Sequence, residues 1–249
     1  MFLLYLVLKI NSFIKNKKIF FRGLINKIFN LEEIAFIHIG KNAGSQVKQI
    51  APKLIKQGFR IKACKHNIKL HQLPKDSKYL FSIRNPASRF VSGFYSRKRK
   101  GRPKFNIDWS PHEKIAFQDF EHANYLAENL FSNNELGISA RLAIKSITHT
   151  GAHQFDYFHK AAYFAIQPPI TIVRQEYFER DMQRFLDILG INIKIESLLT
   201  FDKIKSHQND YAEAPPLSEL ALHNLKKWYI QDYMFYEMCE EWLKQNGHI

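Results

Sequence analysis

Three short apolar runs, each followed by a helical pattern, constrain the fold of this chain more than any other feature. The runs are IAFIHI (residues 34–39), YLFSI (79–83) and ITIV (170–173). Runs rich in β-branched and aromatic residues are typical of buried strands, and strands that alternate with helices form parallel sheets. We therefore predict an α/β fold in which a mainly parallel sheet carries helices on both of its faces.

The length of the chain favours one compact domain. Its 249 residues, 45% of them hydrophobic, are enough to bury one substantial core. We expect a domain over residues 31–249 and a separate segment over residues 1–30. Within the domain, three stretches rich in charge, glycine or proline are predicted loops: RKRKGRPK (97–104), IQPPI (166–170) and SHQNDYAEAPP (206–216).

The charge of the chain predicts an anionic partner. There are 37 Lys and Arg against 23 Asp and Glu, a formal net charge of +14. Such a balance suits nucleic acid, a phosphate-bearing cofactor, an acidic polymer or a membrane surface, and charge alone does not choose among them. The two cysteines, Cys64 and Cys239, have neither disulfide nor zinc-ligand spacing, which suits a reducing compartment, and we expect a cytoplasmic protein.

Residues 1–30 form a basic amphipathic pattern. Lysines and one arginine are interspersed with apolar residues at near-helical intervals, and no acidic residue occurs before Glu32. Two interpretations stay open: the segment lies on an anionic membrane surface, or it packs as a helix on the domain. Its apolar start is too short to span a bilayer and lacks the basic region of a secretory signal, so we expect neither a transmembrane anchor nor secretion.

The first predicted strand leads into a turn suited to an anion. In FIHIGKNAGSQ, Gly40 permits a tight turn, Lys41 supplies a cation, and residues 43–45 are small enough for their N–H groups to approach a ligand. A helical pattern follows, so its positive N-terminal end points to the same place. Because the lysine precedes the second glycine, the stretch departs from the nucleotide-binding signature G-x-x-x-x-G-K-[ST], which weakens a kinase or ATPase hypothesis.

The second strand end carries a similar combination in YLFSIRNPASRFVSGFY. Arg84 stands where the strand stops, Asn85 is a predicted helix cap, and Pro86 suits the first helical position. Arg84 and Ser92, which stands about two turns into the helix, are placed to hold one phosphate between them. The alternative is an ordinary capped helix with solvated arginines.

These two stretches together resemble a known family. HIGKNAGSQ is similar to the sulfotransferase loop that holds the 5′-phosphosulfate of 3′-phosphoadenosine 5′-phosphosulfate. RNPASRFVSGFY resembles the 3′-phosphate motif of the carbohydrate-modifying branch, R-[ND]-P-x-x-R-x-x-S-x-[FY]. The resemblance extends over roughly residues 34–242 and departs from the family pattern at Gly40, Asn42 and Ala43. It implies a three-layer fold of the P-loop NTPase-like type.

The resemblance also implies residue roles. Lys41 would contact the phosphosulfate and stabilise charge on the leaving oxygen. The residues implied to surround the donor are Lys41, Asn42, Ala43, Gly44, Ser45 and Gln46 at the 5′ group and Arg84 and Ser92 at the 3′-phosphate. The donor has an anionic group at each end of its nucleoside, and the residues alone already predict two anion sites. No metal is required for sulfuryl transfer.

The acceptor hydroxyl needs a general base. His66, in ACKHNIKLHQLP, is favoured because its segment resembles the family stretch that brings a histidine to the cleft. His71 reads as part of the next loop, and Glu113 is the main rival, since some sulfotransferases use glutamate. His149 and His153 share a spacing that suits a metal, but Gly151 between them weakens a helix.

The sequence therefore predicts an enzyme that moves a sulfuryl group from 3′-phosphoadenosine 5′-phosphosulfate to a hydroxyl, with a carbohydrate as the expected acceptor and 3′,5′-bisphosphoadenosine as product. Alternatives are a nucleotide kinase or NTPase of similar fold and a basic protein that binds nucleic acid or membrane without catalysis. No nucleic-acid partner is expected, because the RKRKGRPK run lacks interleaved aromatics. That run, and Arg174 after the third predicted strand, are candidate edges of the cleft.

Overall fold

A computed structural model describes residues 31–158, 166–199 and 214–249 of the chain. The amphipathic segment 1–30 and most of the predicted SHQNDYAEAPP loop lie outside the described residues. In the part of the chain that is described, no helix has the length and apolar character needed to cross a membrane.

A four-stranded sheet forms the centre of the molecule. Its strands are β1 (Glu32–Ile37), β2 (Phe59–Ala63), β3 (Tyr79–Ile83) and β4 (Thr171–Arg174), in the order β2-β1-β3-β4. Every pair is parallel. The predicted α/β class with a parallel sheet is confirmed, and the three predicted strands lie close to their expected positions.

The helices follow the strands as the alternating pattern predicts. The described α-helices are α1 (Gly44–Ile50), α2 (Pro86–Lys98), α3 (Pro111–Asp119), α4 (Ala123–Asn129), α5 (Glu135–Ser146), α6 (Phe178–Ile188), α7 (Ile195–Leu198), α8 (Glu219–Trp228) and α9 (Ile230–Gln245). After α1 the chain continues as a 3₁₀ helix over Ala51–Gln57, with Pro52 in its first turn. Proline has no N–H to donate, which favours the change of helix type at this point.

Alternate residues of the strands supply two different cores. On β3, Leu80 packs on one face in a cluster with residues of α1 and α6, such as Val47 and Phe185. Phe81 packs on the other face with residues of α9, including Phe235. Since successive side chains of a strand point to opposite faces, the sheet is covered by helices on both sides. A third apolar cluster joins α2, α3, α4, α5 and α8.

The edge strand β2 was not predicted from the sequence. Its sequence FRIKA has only Ile61 fully buried, and Arg60 and Lys62 interrupt the apolar pattern. Lys62 forms an exposed ion pair with Glu33 of the neighbouring strand, with 3.1 Å between Nζ and Oε1. Charged residues of this kind are common at sheet edges, where they oppose pairing with other chains.

Candidate anion-binding site

The loop after β1 adopts a strained conformation. Lys41 and Ala43 have φ angles of 70° and 57°, in the left-handed region that residues other than glycine rarely enter. Ala43 is the N-cap of α1 and provides no side-chain cap. The N–H groups of Gln46 and Val47 donate to the carbonyl oxygen of Ala43, at 2.9 and 3.2 Å, which leaves those of Gly44 and Ser45 as the uncapped N–H groups of this turn. Ser45 and Gln46, in this first turn, are half-buried.

Asn42 fastens this loop to the sheet. Its side chain is fully buried, and Nδ2 donates to the carbonyl oxygen of Ser82 (2.9 Å) and to Oε1 of Gln154 (2.6 Å). The Ser82 hydroxyl in turn donates to the carbonyl oxygen of Asn42. The Asn42 side chain, which the sequence assigns to ligand binding, is therefore buried and bonded within the protein.

Arg84 brings the two predicted anion sites together. Its Nε donates to the hydroxyl of Ser88 (2.8 Å), and its Nη1 donates to the carbonyl oxygen of Lys41 (3.3 Å). Asn85 caps α2 as predicted, accepting from the N–H groups of Ala87 and Ser88 at 3.1 and 3.3 Å. Ser92 is buried one turn beyond Ser88, so Ser88 is the serine in direct contact with the guanidinium.

Positive charge is concentrated around Lys41. Burial, together with repulsion from Arg99, Arg84 and Arg89, lowers the pKa of Lys41 to about 8. Arg89 is buried and donates to the carbonyl oxygens of Gly40 (3.1 Å) and Ala152 (2.8 Å). A cluster of cations that weakens the charge of its own lysine is a site that gains from an incoming anion.

His66 lies beside this loop in a defined protonation state. Its Nδ1 is 3.1 Å from the carbonyl oxygen of His38. Because a carbonyl oxygen only accepts hydrogen bonds, Nδ1 carries the proton and Nε2 keeps its lone pair. Burial lowers the pKa of His66 below its ordinary value of 6.5, so the ring is neutral at pH 7. Tyr157 donates its hydroxyl to the carbonyl oxygen of His66 (2.6 Å) and fixes the segment.

Two histidine rings explain the loop glycines. A Cβ on Gly44 would overlap the ring of His38, which lies against the His66 ring with 3.9 Å between centroids. A Cβ on Gly40 would lie 2.8 Å from Nδ1 of His149. From the sequence we explained Gly40 by the tight turn and Gly44 by the approach of a ligand to the backbone. The close histidine rings are a further reason for both.

Glu113, the rival candidate base, is committed to an ion pair. Its oxygens accept from Nε and Nη2 of Arg97, both at 2.7 Å, and from the N–H groups of Ser110 and Thr148, both at 3.0 Å. Burial alone would raise the pKa of Glu113, but these donors hold it at about 2. A carboxylate with so low a pKa is a weak base, and its role here is to hold the chain next to His149.

Removal of this carboxylate should destabilise the fold. Glu113→Ala leaves the Arg97 guanidinium buried without its partner, which costs about 3–5 kcal/mol, and roughly 6–20 °C of melting temperature. The exposed pair of Lys78 and Glu32, with side chains 59% and 39% exposed, supplies the matched control. Glu32→Ala should change the stability by less than about 1 kcal/mol. Equal melting shifts for the two variants would contradict this account.

The stabilisation that the Arg97–Glu113 pair provides should depend on pH. The folded-state pKa of Glu113 is below its ordinary value of 4.5, so its stabilisation is present above pH 4.5. It is lost as the pH falls toward 2. The difference in unfolding free energy between the wild type and Glu113→Ala should shrink across that window.

The other histidines that the sequence singled out, His71, His149 and His153, lie in different surroundings. His149 faces Gly40, whereas His153 packs on the Tyr229 ring, with its Nδ1 3.8 Å from the buried Asp232. In the described ranges no three metal-ligating side chains converge. His71 is exposed in a 3₁₀ turn before β3.

Three of the remaining candidate cations are held in ion pairs. Arg174 is buried in an ion pair with Asp181 (2.9 Å), so it is not free to edge a cleft. In the RKRKGRPK run, Arg97 is paired with Glu113, and Lys100 with Asp108 (2.8 Å). Arg99 is the member of the run that acts on Lys41.

A cleft of about 410 Å³ opens beside Arg84. Its lining residues are Arg84, Asn85, Ala87, Ser88, Val91, Leu217 and Leu222. The lining therefore combines apolar side chains with a charged residue, Arg84. Glu176, which follows β4, lies at the polar end, where it accepts from the Asn85 N–H (2.8 Å) and the Ser88 hydroxyl (3.4 Å). Sequence reasoning did not identify Leu217, Leu222 or Glu176, which are distant from both motifs along the chain.

Comparison with models of protein families gives no match for this sequence, and comparison with curated proteins gives none either. The functional argument therefore rests on the residues and on their geometry.

Proposed function

We propose that the protein is a sulfotransferase that moves a sulfuryl group from 3′-phosphoadenosine 5′-phosphosulfate to a hydroxyl, and that its sheet is of the P-loop NTPase-like type found in that family. One observation carries the proposal. The Arg84 guanidinium, from the 3′-phosphate motif, donates to the carbonyl oxygen of Lys41, from the phosphosulfate motif. Two stretches that resemble one family's motifs thus form one cationic site.

The shape of the site supports a donor with two anionic ends. The loop with Lys41 offers a cation and uncapped N–H groups. Arg84 offers a second cation at the end of the cleft where the Glu176 carboxylate also lies. Val91, Leu217 and Leu222 line the cleft beside Arg84 and supply apolar surface on which a nucleoside can pack. The donor supplies the activated sulfuryl group; the chain supplies position and charge.

The residues have distinct tasks in this proposal. Lys41 places its ammonium next to the oxygen that gains charge as the bond from sulfur to the leaving phosphate breaks. His66 accepts the proton of the acceptor hydroxyl on Nε2 while that oxygen bonds to sulfur. The products are a sulfate ester and 3′,5′-bisphosphoadenosine. Resemblance to the carbohydrate-modifying branch favours a carbohydrate as the acceptor.

The binding half of the proposal is tested by calorimetry with 3′,5′-bisphosphoadenosine. Arg84→Ala should weaken binding about ten- to hundred-fold, because a hydrogen bond to a charged group contributes about 1.5–3 kcal/mol. Arg102→Ala is the matched control. Arg102 is an exposed arginine of the RKRKGRPK run, and its Nε donates to Oδ1 of Asn106. This variant removes the same charge and should leave the affinity within about threefold.

Transfer of radiolabelled sulfate to a panel of glycans, lipids and small alcohols tests the catalytic half. We expect label on a glycan hydroxyl and none without enzyme. The proposal fails if the purified protein does not bind 3′,5′-bisphosphoadenosine, or if Arg84→Ala and Arg102→Ala bind it equally well.

A further inference from the structure

A single buried amide, that of Gln154, joins the two halves of the site. The side chain is fully buried in the loop between α5 and the 3₁₀ turn Phe155–Tyr157. Its Oε1 accepts from Nδ2 of Asn42 (2.6 Å) and from the N–H of Arg84 (3.0 Å), and its Nε2 donates to the carbonyl oxygen of Arg84 (2.8 Å). Both ends of the amide are therefore engaged, on partners 112 and 70 residues away in sequence.

The bonds to Arg84 extend the sheet by one residue. The ladder between β3 and β4 ends at the pair Ile83 and Arg174, and β1 pairs with β3 only as far as Phe81. Arg84 thus lies just beyond the strand partners of β3. Gln154 supplies a donor and an acceptor to its backbone, as a neighbouring strand would. These two bonds fix the backbone position from which the Arg84 side chain extends.

The hydrogen bond between Gln154 and Asn42 fixes the other half of the site, the loop that carries Lys41. Asn42 also donates to the Ser82 carbonyl oxygen, so the loop after β1 is held both to β3 and to Gln154. The Arg84 guanidinium then reaches the Lys41 carbonyl oxygen from a backbone position set by the same amide. The separation between the loop and the guanidinium depends on Gln154, although Gln154 is too deeply buried to touch a ligand.

We propose that Gln154 is a positioning residue that sets the distance between the Lys41 loop and Arg84, and so gives the site its preference for a nucleotide with phosphates at both its 5′ and 3′ positions. This inference rests on the proposed function. It predicts that loss of Gln154 harms recognition of the 3′-phosphate more than recognition of the 5′-phosphate.

The test compares the affinities for 3′,5′-bisphosphoadenosine and for adenosine 5′-phosphate, measured by calorimetry on the full chain. Gln154→Met keeps the side-chain volume and removes all three bonds. We expect it to weaken binding of the bisphosphate by about tenfold or more, and binding of the monophosphate by less than about threefold. The ratio of the two affinities should collapse, which a role in stability alone would not cause.

Gln183→Met is the matched control. Gln183 of α6 also uses its amide to bond a backbone N–H and a backbone carbonyl, those of Ile195 (2.8 Å) and Ile193 (3.2 Å). It should lower the melting temperature without changing the affinity ratio. Should Gln154→Met fail to fold, Gln154→Asn replaces it, because the shorter amide does not reach Asn42 and Arg84 together.

The outcomes separate the two proposals. If the wild type prefers the bisphosphate and the Gln154 variant keeps that preference, the positioning role is overturned and the proposed function stands. If the wild type itself shows no preference for the 3′-phosphate, the proposed function is overturned, and the inference about Gln154 falls with it.

Discussion

Lys41→Ala is expected to lower the rate of sulfuryl transfer by about 10²–10³-fold, the usual loss when one group that stabilises developing charge is removed. Three arginines, Arg99, Arg84 and Arg89, act on the Lys41 ammonium by repulsion, so the loop favours an incoming anion. Single-turnover transfer of labelled sulfate measures the effect on chemistry apart from binding. Lys48→Ala, an exposed lysine on α1, removes the same charge and should change the rate by less than about threefold.

The pKa of Lys41 gives this prediction a second readout. Its value of about 8 means that the free protein loses the ammonium charge as the pH rises through 8. Affinity for 3′,5′-bisphosphoadenosine should therefore fall as the pH rises above 8. In Lys41→Arg the guanidinium stays charged, so this decline should be absent. A decline of equal size in Lys41→Arg would assign the titration to another group.

His66→Ala is expected to lower the transfer rate by about 10²–10⁴-fold, the range for loss of a general base. The neutral His66 ring, with its lone pair on Nε2, is the form that can take the proton from the hydroxyl of the sulfuryl acceptor. Because burial lowers the pKa of His66 below 6.5, the wild-type rate should stay level down to about that pH and fall only in more acidic solution. This acidic limb should disappear in the variant.

Two comparisons test whether His66 is the base. His71→Ala removes an exposed histidine five residues further along and should leave the rate unchanged. Free imidazole added to His66→Ala should restore part of the rate, because it returns a base to the space that the ring vacates. Full activity in His66→Ala together with loss of activity in His71→Ala would reverse the assignment.

Local sequence patterns were enough to predict the parallel sheet and three of its four described strands. IAFIHI, YLFSI and ITIV are apolar because their residues are buried in β1, β3 and β4. Since parallel strands end at one edge, the motifs after β1 and β3 had to be neighbours. β2 was missed because only Ile61 is fully buried, so hydrophobicity carried little signal there.

The contacts that organise the site were beyond sequence reasoning. Gln154 and Tyr157 stand in a loop without periodicity, and their partners lie 70 or more residues away. Charge was visible in the sequence, but its pairing was not. Arg174 and Glu113 looked available, yet each is buried against an opposite charge that folding brings to it. Pairing of this kind depends on the tertiary structure rather than on any local pattern.

The left-handed residues of the β1 loop bear on the kinetics of binding. A residue other than glycine held in this region costs of order 1–3 kcal/mol. Lys41 and Ala43 both adopt it, in a loop that the buried Asn42 side chain fastens to Ser82 and Gln154. The conformational entropy of shaping the loop is thus lost during folding rather than at encounter. Association then needs no slow rearrangement of this loop, and variants of its contacts should differ mainly in how quickly the nucleotide leaves.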